Sequence, residues 1–205
     1  MSDLVYVVDH GVGNTVAISN ILRKIGVGVA KVRNSSELSS VDYTKSPFIL
    51  PGVGSFDAGM QSLMRSGLSK LLINHANSGG KLMGICLGME LLCDSSEEGD
   101  LEGLGIISGR IVKLNGTQEK RVPHVGWAEV KKITEDPIFE GIKTQRFYHN
   151  HSYGLPSGSP FEIARLEYSD AYVVGLRKGN VVGLQFHPEK SHSDGERIFI
   201  NFLTQ

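Results

Sequence analysis

Apolar and polar positions in the first half of the 205-residue chain follow two different periods. Short apolar runs bounded by Gly or Pro predict buried strands. These strand candidates are residues 4–9, 29–32, 48–50 and 81–85. Between them, apolar side chains recur at helical spacing over residues 16–25, over 57–77 with a break near Gly67, and over 87–92. Strands that alternate with helices predict a parallel sheet with crossover helices.

The second half has shorter apolar runs, separated by Gly, Pro and Asn. Its strand candidates are residues 106–114, 128–133, 145–148, 161–168, 171–177 and 181–186. A closing helix is expected over roughly 194–203, and the acidic segment 94–103 is expected to be a solvated loop. No internal repeat or long linker divides the chain. We therefore expect one α/β domain over residues 1–205, with an antiparallel addition in its C-terminal half.

Charge and composition indicate which partners and which cell compartment to expect. The net charge of −1 gives no reason to expect a nucleic acid or an anionic membrane as partner. No apolar run approaches the roughly 20 residues of a membrane-spanning helix. The N-terminus carries Asp3 and Asp9 and lacks the basic region of a signal peptide. Together with reduced cysteines, these features predict a cytoplasmic protein.

Both cysteines fall in the segment KLMGICLGMELLC, residues 81–93. Cys86 stands in a G-x-C-x-G pattern between a strand and a helix, which has the form of the nucleophile elbow G-x-S-x-G with sulfur in place of oxygen. Gly84 and Gly88 would make room for the sharp turn. The N-terminus of the following helix is expected to lower the thiol pKa, and the Leu87 N–H to face an oxyanion. A structural cysteine at a strand–helix junction fits this pentapeptide equally well.

A base for such a thiol follows the apolar run VVGLQF. His187 and Glu189 are two residues apart, so in an extended segment their side chains point to one side, and Pro188 between them opposes helix formation. Cys86, His187 and Glu189 would then form a Cys–His–Glu counterpart of the Ser–His–Asp triad. An ordinary turn at the end of a strand accounts for the same residues. The catalytic interpretation of the Cys86 motif and that of the His187–Glu189 motif therefore support each other, and neither stands alone.

Two glycine-containing turns complete the candidate chemistry. The loop PGVGSF, residues 51–56, follows a strand and can present backbone N–H groups as a second oxyanion donor. The turn GVGN, residues 11–14, would need a glycine where Val16 stands to be a dinucleotide fingerprint. We therefore expect no dinucleotide.

PGVGSF, GICLGMELL and QFHPEKS, in this order and spacing, resemble the class I (triad) glutamine amidotransferases. The segments GVGN, ILPGVGSFDAGM, RVPHVGWAEV, the HSY at 151–153 and HPEKS resemble, more narrowly, the glutaminase subunits of imidazole glycerol phosphate synthases. The resemblance covers essentially the whole chain. It implies a flavodoxin-like three-layer sandwich with a mostly parallel central sheet.

The resemblance implies a role for each matching residue of the triad. Cys86 would attack the side-chain amide of glutamine to give a γ-glutamyl thioester and ammonia. His187 would transfer the protons, and Glu189 would orient it. The oxyanion would be held by the N–H of Leu87 and by the loop at Gly52 and Val53.

Substrate and partner contacts are implied in the same way. Glutamine would be bound by Gly52, by Glu90 and by the segment His151, Ser152 and Tyr153. The partner would be a (βα)8-barrel synthase subunit in a heterodimer, through which ammonia passes without meeting bulk solvent. The residues implied to face it are Asn14, Trp127, Tyr148 and Lys190.

Three departures from the family pattern concern the substrate and partner surfaces. Glu90 stands where the family usually has Gln; an ionised carboxylate only accepts hydrogen bonds, whereas an amide also donates them. Ala128 stands where the family usually has Asn, and FYHNHSY differs from the usual aromatic-rich run. These differences indicate a paralogue or a divergent member, and the ammonia acceptor, a histidine-pathway intermediate or a sugar intermediate, stays open.

No cofactor is expected. His149 and His151 could form a metal pair, but no carboxylate or cysteine cluster accompanies them in the sequence, and we expect no metal.

Three functional hypotheses stay open at this point. The favoured one is a glutaminase working with a synthase barrel. The others are a stand-alone cysteine hydrolase, such as a γ-glutamyl hydrolase, and a non-catalytic subunit that retains the fold.

Overall fold

The computed structural model describes residues 4–11 and 13–205. Two residues discussed above therefore lie outside the described residues: Asp3, and Val12 in the turn at 11–14. The strands are Leu4–Val8 (β1), Gly28–Val32 (β2), Phe48–Gly52 (β3), Leu82–Cys86 (β4), Ser95–Ser96 (β5), Arg110–Lys113 (β6), His124–Glu129 (β7), Lys131–Lys132 (β8), Arg146–His151 (β9), Tyr153–Pro156 (β10), Glu162–Glu167 (β11), Ala171–Lys178 (β12) and Val181–Leu184 (β13). The α-helices are Thr15–Lys24 (α1), Phe56–Arg65 (α2), Leu68–Asn77 (α3), Leu87–Leu91 (α4) and His192–Thr204 (α5). Short 3-10 turns occupy Ser35–Leu38, Pro137–Phe139 and Pro188–Lys190.

The central sheet runs in the order β2-β1-β3-β4-β13-β12-β10-β6-β5, with β11 pairing β12 and β8. From β2 to β13 each neighbouring pair is parallel. From β13 through β12, β10 and β6 the pairs are antiparallel. Strands β7 and β9 form a separate antiparallel pair, which we call the ribbon. The expected mostly parallel sheet with an antiparallel addition is confirmed.

Apolar side chains alternate between two buried layers, one on each face of the sheet. In β1, Tyr6 and Val8 pack into the layer covered by α2 and α3, whereas Val5 and Val7 pack into the layer covered by α1 and α5. A strand whose both faces are apolar is typical of a parallel sheet with helices on both sides. The three-layer sandwich that the resemblance implied is therefore present.

The predicted elements of the first half agree with the structure to within two residues. The break near Gly67 is real: this glycine adopts a φ of 71° and separates α2 from α3. In the second half, the closing helix is confirmed and begins two residues earlier, at His192.

Several strand predictions in the second half are wrong in extent. The candidate at 106–114 shortens to β6, because Ile106 and Ile107 donate their backbone N–H groups to Leu92 O and not to a strand. The candidate at 128–133 falls on the end of β7 and on β8. The two strands are separated at Val130, whose N–H donates a hydrogen bond to Gln145 O. Strand β10 had no counterpart among the candidates.

The acidic segment 94–103 is not a freely solvated loop. The Glu98 carboxylate accepts the N–H of Phe56 at 2.8 Å, and Asp57 accepts the N–H of Leu101 at 3.1 Å. These bonds satisfy donors at the start of α2 and hold the segment against it. Within the part of the chain that the structure describes, no helix is long and apolar enough to cross a membrane.

Candidate active site

The candidate catalytic residues lie at the carboxyl ends of neighbouring parallel strands. Strands β3, β4 and β13 are adjacent, and the register places Gly52 beside Cys86 and Leu184 beside Ile85. His187 follows β13 by three residues. Open α/β sheets bind their ligands at this edge, and the topology therefore brings the three predicted motifs together.

Cys86 occupies a strained turn between β4 and α4. Its φ of 54° and ψ of −115° lie outside the regions that side chains other than glycine favour. Strain of this kind persists where the surrounding structure imposes it, and it is typical of functional sites. The geometry matches a nucleophile elbow and favours the catalytic interpretation over a structural thiol.

The two glycines of the elbow are required by close approach. A Cβ at Gly88 would lie 1.8 Å from the Leu50 carbonyl oxygen, and one at Gly84 would lie 2.6 Å from the Gly88 carbonyl oxygen. Both distances are far below van der Waals contact. The prediction that these glycines make room for the turn is confirmed.

The expected lowering of the Cys86 pKa is wrong for this conformation. Burial raises the pKa of the thiol well above its usual range, and the Glu90 and Glu189 carboxylates add to the increase. The Leu87 N–H, the first of a one-turn helix, opposes this shift but does not outweigh it. Cys86 Sγ is directed to the Asn150 carbonyl oxygen at 3.8 Å. The structure therefore holds a protonated thiol.

The base and its orienting carboxylate are in contact. His187 Nδ1 lies 2.8 Å from Glu189 Oε1, and both side chains are almost fully buried. The contact is made through the 3-10 turn Pro188–Lys190 and not through an extended segment, because proline fits the first position of a helical turn. The predicted pairing is confirmed, and the predicted local geometry is corrected.

The second ring nitrogen of His187, Nε2, is available to accept a proton. Nε2 is buried and has no hydrogen-bond partner among the described residues. A carboxylate at Nδ1 favours the tautomer with the proton on that nitrogen, which leaves a lone pair on Nε2. This is the arrangement that a general base requires.

A cavity of about 270 Å³ opens in front of Cys86. It is slightly smaller than the roughly 300 Å³ at which typical ligand pockets begin, so it suits a ligand of amino-acid size. Residues predicted for the oxyanion and the substrate line it: Val53, Leu87, Glu90, His151, Ser152 and Tyr153. Gly52 packs against Leu87, and a Cβ added at Gly52 would lie only 2.8 Å from the Leu87 Cβ.

Glu90 is not the ionised acceptor that its position suggested. It is buried, and burial raises its pKa to about 8, with Glu98 adding to the shift. Gln185 Nε2 donates a hydrogen bond to Glu90 Oε1 at 2.8 Å, which partly offsets the burial. At neutral pH the side chain is therefore a carboxylic acid that both donates and accepts, as an amide does.

Sequence reasoning missed three groups that line the cavity, Glu98, Pro123 and Asn150. Glu98 stood within an acidic run in which nothing distinguished one carboxylate from the next. Burial also raises the pKa of its carboxyl group. Asn150 contributes its backbone carbonyl, for which a sequence carries no signal.

Three of the four predicted partner-facing residues adjoin one another on the ribbon side of the site. Lys190 Nζ lies 5.1 Å from the centre of the Tyr148 ring, and Trp127 packs edge-on to Tyr148 at 6.2 Å between ring centres. Tyr148 also accepts the His187 N–H with its backbone oxygen, at 2.8 Å. Asn14 caps α1, which contacts the turn Pro188–Lys190.

Comparisons with known proteins agree with this geometry. Residues 6–205 match the family described as Glutamine amidotransferase class-I. The chain is 40% identical to "Imidazole glycerol phosphate synthase subunit HisH 2" of Pseudomonas aeruginosa, over 98% of both chains. It is also 40% identical to the protein of the same name in Methanococcus maripaludis, over 98% of this chain and 100% of that one.

A solved structure titled "Crystal structure of glutamine amidotransferase" superposes with a TM-score of 0.74 over 97% of this chain and 96% of the other, at 19% identity. At that identity the likeness concerns the fold alone. The family match and the full-length relatives carry the assignment: this chain belongs to the class I glutamine amidotransferases and, within them, to the family of HisH subunits of imidazole glycerol phosphate synthase.

Proposed function

We propose that this protein hydrolyses glutamine to glutamate and ammonia with the triad Cys86, His187 and Glu189. Residues 1–205 would act as one amidotransferase domain and deliver the ammonia to a (βα)8-barrel cyclase in histidine biosynthesis. The single observation that carries the proposal is the strained Cys86 beside the buried His187–Glu189 pair, at the edge of the cavity. Two free cysteines are consistent with a reducing, cytoplasmic setting.

The reaction proceeds in two halves. The Cys86 sulfur attacks the carboxamide carbon of glutamine while its proton passes to His187 Nε2. The C–N bond breaks, the imidazolium returns that proton to the leaving group, and ammonia and a γ-glutamyl thioester result. His187 then takes a proton from water, the resulting hydroxide adds to the thioester, and glutamate leaves with the thiol restored.

Two backbone N–H groups would stabilise the tetrahedral oxyanion. The Leu87 N–H already faces the Cys86 sulfur, where it lowers the thiol pKa. The second donor would come from the loop at Gly52 and Val53. Gly54, the next residue of this loop, has a φ of 101°, a conformation that glycine adopts without strain.

Glutamine would be bound by the walls of the cavity. Glu90 and Glu98 line the cavity together with the segment His151, Ser152 and Tyr153. The Glu98 carboxylate would pair with the α-ammonium group, and the uncharged Glu90 would hydrogen-bond to the substrate. A carboxylic acid at position 90 can take over both hydrogen-bonding roles of the glutamine that the family usually carries. The departure at this position is therefore compatible with glutamine binding.

The conformation described here is a resting state. The thiol points to Asn150 O, its pKa is raised, and His187 Nε2 has no partner among the described residues. Attack requires Cys86 to turn from the Asn150 carbonyl towards the imidazole. The barrel subunit would favour this rotation of Cys86 through its contacts with Asn14, Trp127, Tyr148 and Lys190, because the Tyr148 backbone oxygen accepts a hydrogen bond from the His187 N–H.

The two cysteines provide a matched test. Both thiols are buried, but Cys93 lies in the core behind α4. We expect Cys86→Ala to abolish glutamate release and Cys93→Ala to retain it, each measured with and without the barrel subunit. The wild-type chain alone should be about 10²–10³-fold slower than the complex, comparable to the loss of one oxyanion donor. Partner-independent hydrolysis of γ-glutamyl peptides would instead identify a stand-alone hydrolase.

A second candidate function follows from the sequence departures at Glu90 and Ala128. A paralogous subunit would supply ammonia to a synthase that aminates a sugar for surface polysaccharide. The glutaminase chemistry is the same in both cases, so the test is the partner. Stimulation by a histidine-pathway cyclase barrel supports the first candidate, and stimulation only by a sugar-modifying barrel supports the second.

A further inference from the structure

Three histidines share one buried face of the ribbon. The antiparallel register places His124 of β7 directly opposite His151 of β9, and His149 precedes His151 by two residues. Because side chains of a strand alternate between faces, all three rings fall on the same side. All three residues are buried, and one ring nitrogen from each lies within 4.8 Å of the others. The sequence showed the pair at 149 and 151; the fold adds the third ligand.

The tautomer of His151 favours metal binding. Its Nδ1 lies 2.7 Å from the Tyr153 carbonyl oxygen, which can only accept, so Nδ1 carries the hydrogen and Nε2 carries a lone pair. A backbone carbonyl in this role is typical of metal-binding histidines. His149 Nδ1 lies 3.3 Å from this Nε2, within hydrogen-bonding distance, so its N–H donates to the lone pair, and a metal ion would take the place of that hydrogen. Two nitrogens that bind one tetrahedral zinc ion at 2.0–2.1 Å are also about 3.3 Å apart.

Two other ring nitrogens in the cluster have no hydrogen-bond partner among the described residues. These are His124 Nδ1 and His149 Nε2, and both are fully buried. A buried polar atom without a partner costs about 1–3 kcal/mol, so such atoms call for a ligand. For His124 Nδ1, a metal ion would satisfy that need.

The electrostatics of the cluster favour a particular class of ion. Burial lowers the pKa of all three imidazoles, that of His151 to about 4, and neighbouring imidazoles, including His187, add to the effect on His149 and His151. All three donors of the cluster are imidazole nitrogens, and no carboxylate belongs to it among the described residues. Lys120 is a charged group close to His124, and its charge lowers the pKa of that imidazole further. Neutral imidazoles without a carboxylate select zinc-like ions over magnesium or calcium.

We propose that His124, His149 and His151 form a three-histidine site for a zinc-class divalent cation, beyond the glutaminase function. His151 also lines the active-site cavity, so the fourth coordination position would face that side. His124 stacks on His149 with 4.9 Å between ring centres, and its ring must turn for all three nitrogens to converge. The bound ion would tie β7 to β9 and fix the segment that leads into Ser152 and Tyr153.

The test uses the full chain carrying Cys86→Ala, so that the catalytic thiol cannot bind the metal. The protein is stripped with a chelator and titrated with zinc by calorimetry and thermal unfolding. We expect one zinc ion per chain and an increase in Tm of about 5–10 °C at a hundredfold excess over Kd. Cobalt should give the visible absorption of a four-coordinate site.

His149→Gln removes one ligand and keeps a polar side chain, and His75→Gln is the matched control, because His75 is buried outside the cluster. The proposal requires the first variant to lose the zinc-dependent Tm increase and the cobalt absorption, and the second to keep both. If circular dichroism shows that His149→Gln is unfolded, His124→Asn takes its place. Zinc binding that is absent from the parent protein, or unaffected by the ligand substitution, would overturn the proposal.

Discussion

The strand edge that carries Cys86 and the ribbon that covers it are built by different means. At the edge, sheet register, close-packed glycines and a strained backbone fix the position of the sulfur. The ribbon reaches the triad through a few polar contacts, among them Tyr148 O with the His187 N–H and Asn150 O with the Cys86 thiol. The comparison indicates that the sheet fixes the position of the Cys86 sulfur, whereas the ribbon contributes polar contacts around the sulfur and around His187.

The largest effect is expected at the buried pair that joins the two regions. Glu189→Gln should lower kcat by up to about 10⁴-fold, because an amide no longer stabilises the His187 imidazolium and allows the wrong tautomer. The measurement is glutamate release by the complex. Glu196→Gln is the control, since Glu196 pairs with Lys24 on the surface. Equal rates for the two variants would contradict the assignment of Glu189.

The rigidity of the strand edge is tested at Gly88. Gly88→Ala places a methyl group against the Leu50 carbonyl oxygen, so we expect a loss of about 3 kcal/mol in the free energy of unfolding. Gly116→Ala, where the nearest atoms allow ordinary contact, should cost much less. Denaturant titration measures both. A neutral Gly88→Ala would mean that the elbow is not closely packed.

The buried acid at the cavity wall predicts a pH dependence. Glu90 keeps its proton in the folded state up to about pH 8, whereas the unfolded chain loses it near pH 4.5. The unfolded state therefore binds fewer protons between these values, and stability falls as the pH rises through this window, by at most about 1.4 kcal/mol per unit. Glu90→Gln removes this component.

Thermal unfolding from pH 5 to pH 8 checks the prediction. The difference between the Tm of Glu90→Gln and the Tm of the wild type should increase in favour of the variant as the pH rises. A constant difference in Tm across the range would show that Glu90 is already ionised in the folded protein.

The smallest effect concerns the ribbon surface. Lys190→Met removes the charge above the Tyr148 ring, a contact worth about 0.5–1 kcal/mol at an exposed site. We expect the half-saturating concentration of the barrel subunit to rise a few-fold. The rate of the isolated chain should fall only slightly, because Lys190 makes the smallest contribution to the Cys86 pKa. Lys45→Met, an exposed lysine outside the site, serves as the control.

The sequence predicted the strand edge far better than the ribbon, for physical reasons. The first-half strands are apolar runs bounded by glycine or proline, and Cys86 follows one of them, whereas His187 follows the apolar run VVGLQF of the second half. Strand β10 carries no comparable apolar run, and the contact of His149 and His151 with His124 depends on pairing between distant segments. The raised pKa values of Cys86 and Glu90 arise from burial, which a motif does not report.

The assignment of Cys86, and not Cys93, as the nucleophile can be tested chemically. The most direct measurement is peptide mass spectrometry of the complex after reaction with an electrophilic glutamine analogue, with free glutamine as competitor. We expect one label per chain, on Cys86, that glutamine prevents and that the isolated chain acquires far more slowly. A label on Cys93, or full glutaminase activity in a protein without a modifiable Cys86, would contradict it.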